Sequence, residues 1–231
     1  MKDLMENMYL NAKKMNKLED ILIEKTKNLK NQKREILITP FGVCHNNFIL
    51  CIELMDCWLQ FWDNPDRMKR ILGKALKDLT EGEVKQLRNQ NFERIMELLK
   101  WSLFIPTFSL IEFTMKNSLF LFSDHPAAKK VNNLKDKPHY IKFNNSILLP
   151  SGETNLLTSN QIKEIKTLAK LRNSIVHNNA IAQEDHIHKG ENYEINFAKG
   201  EMLTGKLNTF FYCTLAVIEL YFAWANNLLE S

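Results

Sequence analysis

Only 7 glycines and 6 prolines are spread over the 231 residues of this chain, where average usage would supply roughly 28 of the two together. A sheet sandwich needs a turn about every 8–12 residues. The scarcity of turn-formers counts against an all-β fold and leaves a mostly α one. Hydrophobic residues make up 45% and charged residues 25%, an ordinary globular balance that argues against disorder. The length allows one large domain, or one domain carrying an appended helical region.

The formal net charge is +4, with a sequence pI near 8.7. That balance is compatible with a nucleic-acid partner and does not establish one. The cysteines are Cys44, Cys51, Cys57 and Cys213, three of them in one apolar stretch and none in a Cys-x-x-Cys pair. Buried free thiols in a reducing cytosol are the expectation, ahead of a disulfide framework or a zinc site. The first residues lack the apolar segment of a secretory signal. Two stretches approach membrane-span length, but Trp101–Phe122 is interrupted by Pro106, Glu112 and Lys116, and Leu207–Leu229 carries Glu219. Charges at that depth are costly in lipid. Both are read as core or interface helices of a cytoplasmic protein without a membrane partner.

Residues 1–35 read as a polar, lysine-rich helix with sparse apolar positions (Leu18, Ile21, Leu22, Leu29), a solvated arm resting on the body or on a partner, with an RNA-tracking arm as the lesser alternative. The stretch 38–47 reads as a break before an apolar helix, Phe48–Trp62, ended by Asp63-Asn64-Pro65. The next helix is expected to run to about Leu79, and Thr80-Glu81-Gly82-Glu83 to start another through Lys100. Pro106 should kink that helix or split it from the segment 107–122. Residues 123–158 form the longest irregular stretch, with room for a hairpin around Tyr140–Leu149. Ser159 is expected to cap a helix through His177. Residues 178–200 read as a polar connection with a short strand at Tyr193–Phe197. The last helix, about Met202–Leu229, is apolar nearly all round, so it is buried centrally or covered by another subunit. The expected organisation is a helical region over residues 1–80 and a helical domain over 81–231, or one continuous domain.

Two charges fall where a core side chain belongs. At about 100° per residue, Ile162, Ile165, Leu168, Ala169, Leu171, Ile175 and Val176 fill one half of the helix ending at His177, and Arg172 sits in the middle of that half. A guanidinium there needs a buried carboxylate, a subunit seam or a bound anion. Asn173 and His177, four apart, share a strip at the edge of the apolar face. In the segment 107–122, Phe108, Glu112, Met115 and Leu119 share one face, so a carboxylate occupies a core slot, with Lys116-Asn117 beside it. The economical inference is that Glu112 faces Arg172 across two packed helices. A purely structural buried pair explains the same two misfits.

Leu171-Arg172-Asn173-Ser174-Ile175-Val176-His177 resembles the Arg-polar-spacer-His motif of HEPN domains, most of all the Abi-like bacterial branch, in which further polar residues come next (here Asn178-Asn179). Leu110–Asn117 is similar to that family's apolar helix carrying an acidic residue before a basic-polar pair, with Lys116 where Arg is common. The resemblance spans roughly residues 90–230. It implies an all-α, HEPN-like helical bundle, here with an N-terminal helical extension and a long loop or hairpin insertion. It also implies a homodimer that unites two Arg–His pairs in one cleft, and metal-independent RNA cleavage with no cofactor, in abortive infection or as the toxin of a toxin–antitoxin pair. The implied partners are RNA, a second copy of the chain and, in that last setting, an antitoxin protein. Some members are catalytically silent modules that bind RNA or protein, and that is the rival expectation here.

The residue types suit the chemistry. RNA carries its own nucleophile, the 2′-hydroxyl, so a protein needs to move protons and stabilise a phosphorane. Neutral His177 can deprotonate the hydroxyl while a protonated copy from the other subunit protonates the 5′-oxygen. Arg172 matches phosphate oxygens and stays charged, Glu112 would orient it, and Asn173 would hold the imidazole or the helix end. Lys116, Asn117 and Asn178 are candidate RNA contacts. Glu184-Asp185-His186-Ile187-His188 has metal-capable side chains but reads as a solvated loop, and Cys44-His45 with Cys51 and Cys57 lacks tetrahedral spacing; no metal site is expected. His125 and His139, among the lysines of the long loop, read as solvated surface with RNA backbone contact as the lesser alternative.

Overall fold

The computed structural model describes residues 2–73, 79–132, 156–205 and 209–230. Helix α1 (Lys2–Thr26) turns back through residues 27–30 into α2 (Asn31–Trp62), and short α3 (Pro65–Leu72) comes after it. Next come α4 (Glu81–Leu99), a π-helical turn (Lys100–Phe104), α5 (Ile105–Leu121) and α6 (Pro126–Asn132). After α7 (Ser159–His177), strands β1 (His186–Lys189), β2 (Glu194–Phe197) and β3 (Thr204–Gly205) form a small antiparallel sheet in that order, and α8 (Thr209–Glu230) closes the described chain. The protein is mostly helical, in keeping with the scarcity of turn-formers, with this sheet as the exception.

Helix α1 rests on the body, as expected, but through a buried face and not as a solvated arm. Met5, Met8, Ala12, Met15 and Leu22 are buried along one stripe, and the Glu19–His45 contact lays the helix antiparallel to α2. Methionine supplies most of the apolar face; the leucine and isoleucine positions alone do not reveal it. Of those positions Leu22 is buried, whereas Ile21 is 42% exposed.

The break expected over 38–47 does not occur, for α2 runs unbroken through Pro40. Proline inside a helix costs about 3 kcal/mol or more. Here a continuous buried face from Leu37 and Phe41 to Leu59 and Trp62 outweighs that cost. In the turn that Pro40 disturbs, the Tyr221 hydroxyl donates to the Leu37 carbonyl (2.9 Å). Pro106 acts as expected: the helix widens into the π turn just before it and resumes as α5.

The helix starts obey capping chemistry. The Arg67 amide donates to the Asn64 side chain (3.0 Å), and Thr80 and Glu83 cap α4 reciprocally (2.7 and 3.3 Å). Thr158, not Ser159, caps α7, exchanging bonds with Gln161 (3.3 and 2.9 Å). The polar connection after His177 contains β1 as well as β2, because Ile195 and Phe197 bury one face of the hairpin and hold the polar strand against it. The hairpin expected at Tyr140–Leu149, and His139 with its neighbouring lysines, lie outside the described residues.

Helix α8 is the axis of the core. Phe211 packs on Phe48 (ring centroids 4.3 Å), Tyr221 stacks on Phe41 and Trp224, and Phe210 meets Phe104. Lys14 reaches Glu219 (2.8 Å), and Lys25 reaches Glu230 and Asn226 from α1. This all-round apolar helix is therefore buried centrally within one chain. Buried apolar side chains run as one cluster from Met5 to Leu228. By length and composition alone, Asn31–Trp62 and Glu81–Leu121 could cross a membrane; both are packed against other helices of the chain.

Candidate functional site

The Glu112 site is assembled by the packing of α7 on α5. Ile165, Leu168, Leu171 and Ile175 are buried on one side of α7, and Phe108, Ile111, Met115 and Leu119 on the facing side of α5. Packing those stripes turns the two misfit charges toward each other: Arg172 Nη2 lies 3.8 Å from Glu112 Oε2. The nearer partner of Glu112 is Lys116, one turn along the same helix, with Nζ 2.8 Å from Oε1. Two cations thus meet at one carboxylate, whose side chain is 19% exposed; that of Lys116 is 7% exposed and that of Arg172 25%. The site is buried on the α5 side and open at an edge on the α7 side.

Asn173 Oδ1 accepts a bond from Arg172 Nη1 (2.8 Å). Its observed role is to hold the guanidinium, in place of the expected imidazole or helix end. Arg172 Nε is buried without a hydrogen-bond acceptor among the described residues. Val176, assigned to the apolar half, is 40% exposed, whereas its neighbour Ile175 is buried. His177, the last helical residue, is exposed. It stands five positions after Arg172, so at about 100° each the two side chains leave the axis about 140° apart. One chain therefore does not set the imidazole beside the guanidinium.

The chain after His177 is tightly fixed. The Asn178 and Ala180 amides both donate to the Ser174 carbonyl (3.1 and 2.9 Å), with Asn179 at φ 51° and Ala180 at φ 63°. Two successive left-handed residues without glycine are strained. Backbone bonds from Leu203 to Ala180 (2.8 Å), from Ala182 to Glu201 (2.9 Å) and from Gly200 to Ala182 (2.9 Å) hold them there. Asn178 spends its backbone N–H on this cap. Asn117 donates its side-chain amide to the Phe113 carbonyl (2.7 Å) on the outer face of α5, where Phe113 and Phe120 are 60% and 48% exposed. Of the expected RNA contacts, Lys116 is thus interior, whereas Asn117 and Asn178 are half-buried at the surface.

Two polar arrangements escaped the sequence reading. His45 Nδ1 lies 2.7 Å from Glu19 Oε2 inside the α1–α2 pair. On the far side of α7, Tyr193 donates to Glu164 (3.0 Å) and lies 3.3 Å from His188 Nε2, beside a cleft of about 350 Å³. Burial raises the Glu164 carboxyl above its ordinary value and lowers the His188 imidazole. The signal for Glu19 was present in the sequence: Met8, Ala12, Met15, Glu19 and Leu22 share one face, so a carboxylate occupies a core slot as Glu112 does.

His186 and His188 are on β1, and among the described residues no three His, Cys, Asp or Glu side chains gather as a metal site. Cys44, Cys51 and Cys213 are buried free thiols; Cys57, expected to be buried, is exposed. Comparison of the chain with protein-family models, curated proteins and solved structures returned no match.

Proposed function

We propose that this protein is a metal-independent endoribonuclease of HEPN type, acting in the cytoplasm in bacterial defence or as a toxin. The observation that carries the reading is the cross-helix meeting of Glu112 and Arg172 with an exposed His177 at the end of the same helix. A carboxylate that holds a guanidinium near solvent leaves it charged, aimed and able to take a phosphate oxygen. His177 would move protons between the 2′-hydroxyl and the 5′-oxygen. The 140° divergence of Arg172 and His177 suits a cleft shared by two copies, in which the imidazole of one meets the guanidinium of the other. With α8 already covered, the dimer proposal rests on the exposed Phe113, Phe120 and Val176 flanking the site.

The rival reading is a catalytically silent helical module that binds RNA or a protein partner such as an antitoxin. It is favoured by one observation: Asn173 and Glu112 already engage the guanidinium, as a structural charge requires.

The test is purified protein on a mixed RNA pool in EDTA, with mass measured in parallel by light scattering. The expected outcome is cleavage that leaves 2′,3′-cyclic phosphate ends, fails on a strand with a 2′-deoxy sugar at the scissile position, and comes from a species of dimer mass. Cleavage that needs a divalent ion, or that persists in His177→Ala, would overturn the reading.

A further inference from the structure

Helix α7 presents three different edges. One is apolar and carries Arg172 toward α5. A second turns Glu164 toward Tyr193 (3.0 Å). The third carries Lys163, Lys166, Lys170, Asn173 and His177, spaced 3, 4, 3 and 4 residues apart, and every one of them is exposed. At 100° per residue these five lie within about 80° of the helix circumference. From first to last they span about 21 Å.

An ordinary solvated helix face interleaves acids with bases. This edge contains no acid. The helix has one carboxylate, Glu164, and it is bonded to Tyr193 in the cleft that Lys163 also lines. The neighbouring charge that does reach the row is Glu184, 2.5 Å from Lys170, with both side chains more than half exposed. A pair that open to water holds at most about 1 kcal/mol, so a phosphate can displace it.

We propose that this edge is a track for the phosphate backbone of single-stranded RNA, which it delivers to His177. The inference rests on the ribonuclease reading above and adds where the substrate lies and from which direction it enters. The lysines neutralise successive phosphates without reading bases, so the track is indifferent to sequence. A strand stacked at about 3.4 Å per nucleotide passes roughly six nucleotides along the row. Asn173, between Lys170 and His177, stands where the scissile linkage approaches.

The probe is a fluorescent 12-nucleotide RNA of mixed sequence, 2′-O-methylated throughout so that it cannot be cut by its own hydroxyl. Affinity of the full chain for it is measured by anisotropy over a range of salt concentrations. Three single-strand phosphate contacts contribute about 2 to the slope of log K against log salt. The triple variant Lys163→Gln/Lys166→Gln/Lys170→Gln should lose about that much slope and bind about tenfold or more weakly at low salt. A control triple, Lys85→Gln/Lys129→Gln/Lys199→Gln, removes equal charge from exposed positions off the edge and should leave the slope unchanged.

Equal losses in both triples would overturn the track in favour of diffuse attraction. An unchanged slope in the edge variant, with cleavage of ordinary RNA still abolished by His177→Ala, would overturn the track and leave the ribonuclease standing. A slope loss confined to the edge variant, in a protein that cuts no RNA, would keep the track and remove the catalysis. No binding of the probe by the unaltered protein would overturn the track outright.

Discussion

Two carboxylates occupy core slots in this protein, Glu112 on α5 and Glu19 on α1, and their surroundings differ in a way that separates chemistry from structure. Glu19 meets one partner, His45, at 2.7 Å, and the histidine is 5% exposed. Its Nε2 is buried without a bond among the described residues. The imidazole is shut in, although the Glu19 side chain is 24% exposed, so the two sites differ in their cation-capable partners and not in their carboxylates. Glu112 meets two cations at once, one from its own helix and one from α7, and the second is a quarter exposed. A pair whose histidine is buried holds helices together and presents no cation to a ligand. A carboxylate that carries an extra cation to an open edge can present that cation to an anion.

The sharpest way to break this contrast is to exchange the fates of two histidines. His177→Ala should abolish RNA cleavage, a loss of about 100-fold or more for a general acid–base group, while stability moves by no more than about 0.5 kcal/mol as for an exposed side chain. His45→Ala should do the reverse, costing about 2 kcal/mol through a cavity and an unpartnered Glu19 and sparing turnover in the folded fraction. Cleavage assays beside urea unfolding read both. A His45 variant that is stable but inactive would put the function at the α1–α2 pair.

A smaller effect is expected at Glu112. Breaking a dry buried pair costs about 3–5 kcal/mol; with a fifth of this side chain exposed the expected loss for Glu112→Ala is about 2 kcal/mol. It arises from Lys116 at 2.8 Å more than from Arg172 at 3.8 Å. Glu112→Gln keeps an acceptor for Lys116 and should recover at least half of that loss, with cleavage still impaired because the guanidinium is no longer held. Equal unfolding midpoints for Glu112→Ala and the unaltered protein would show that the carboxylate is solvated.

Much of this contrast was written in the sequence, and the rest was hidden for identifiable reasons. Glu112 and Arg172 were legible because each interrupts a face of Phe, Leu and Ile. Glu19 interrupts its face in the same rhythm, but that face is built from Met5, Met8, Ala12 and Met15, and an eye tuned to branched aliphatics passes over it. Lys116 was legible as the i+4 partner of Glu112, yet the motif drew it outward to RNA. Pro40 and the asparagines after it read as punctuation; only the shared burial of Leu37, Phe41, Cys44 and Phe48 under α8, a tertiary effect, shows why the helix continues. β1 was illegible for the opposite reason: its own burial is slight, and it exists as the partner of Ile195 and Phe197.

The gentlest test uses thiols beside the buried histidine as reporters. Cys44 adjoins His45 on the buried face of α2, where burial pushes its thiol up to about 12. Burial likewise raises Cys51 to about 11 and Cys213 well above its ordinary value. Thiolate is the reactive form. At pH 8 the folded protein should therefore keep only about one Cys44 thiolate in ten thousand molecules, whereas Cys57 lies exposed on the outer face of the same helix. Iodoacetamide at pH 8, followed by peptide mass mapping, should label Cys57 and leave the other three unmodified. Because burial raises these pKa values, the folded state holds protons that the unfolded chain gives up above about pH 8.5. The buried thiols therefore cost no stability below that pH and erode it progressively as pH climbs toward their folded values, so the urea midpoint should fall between pH 8 and pH 10. At pH 9 the buried set should stay protected in the folded protein. If Cys44 labels at the rate of Cys57 in the unaltered protein, α1 lifts from α2 readily, His45 is as open as Arg172, and the exposure of the partner side chain no longer distinguishes the two sites.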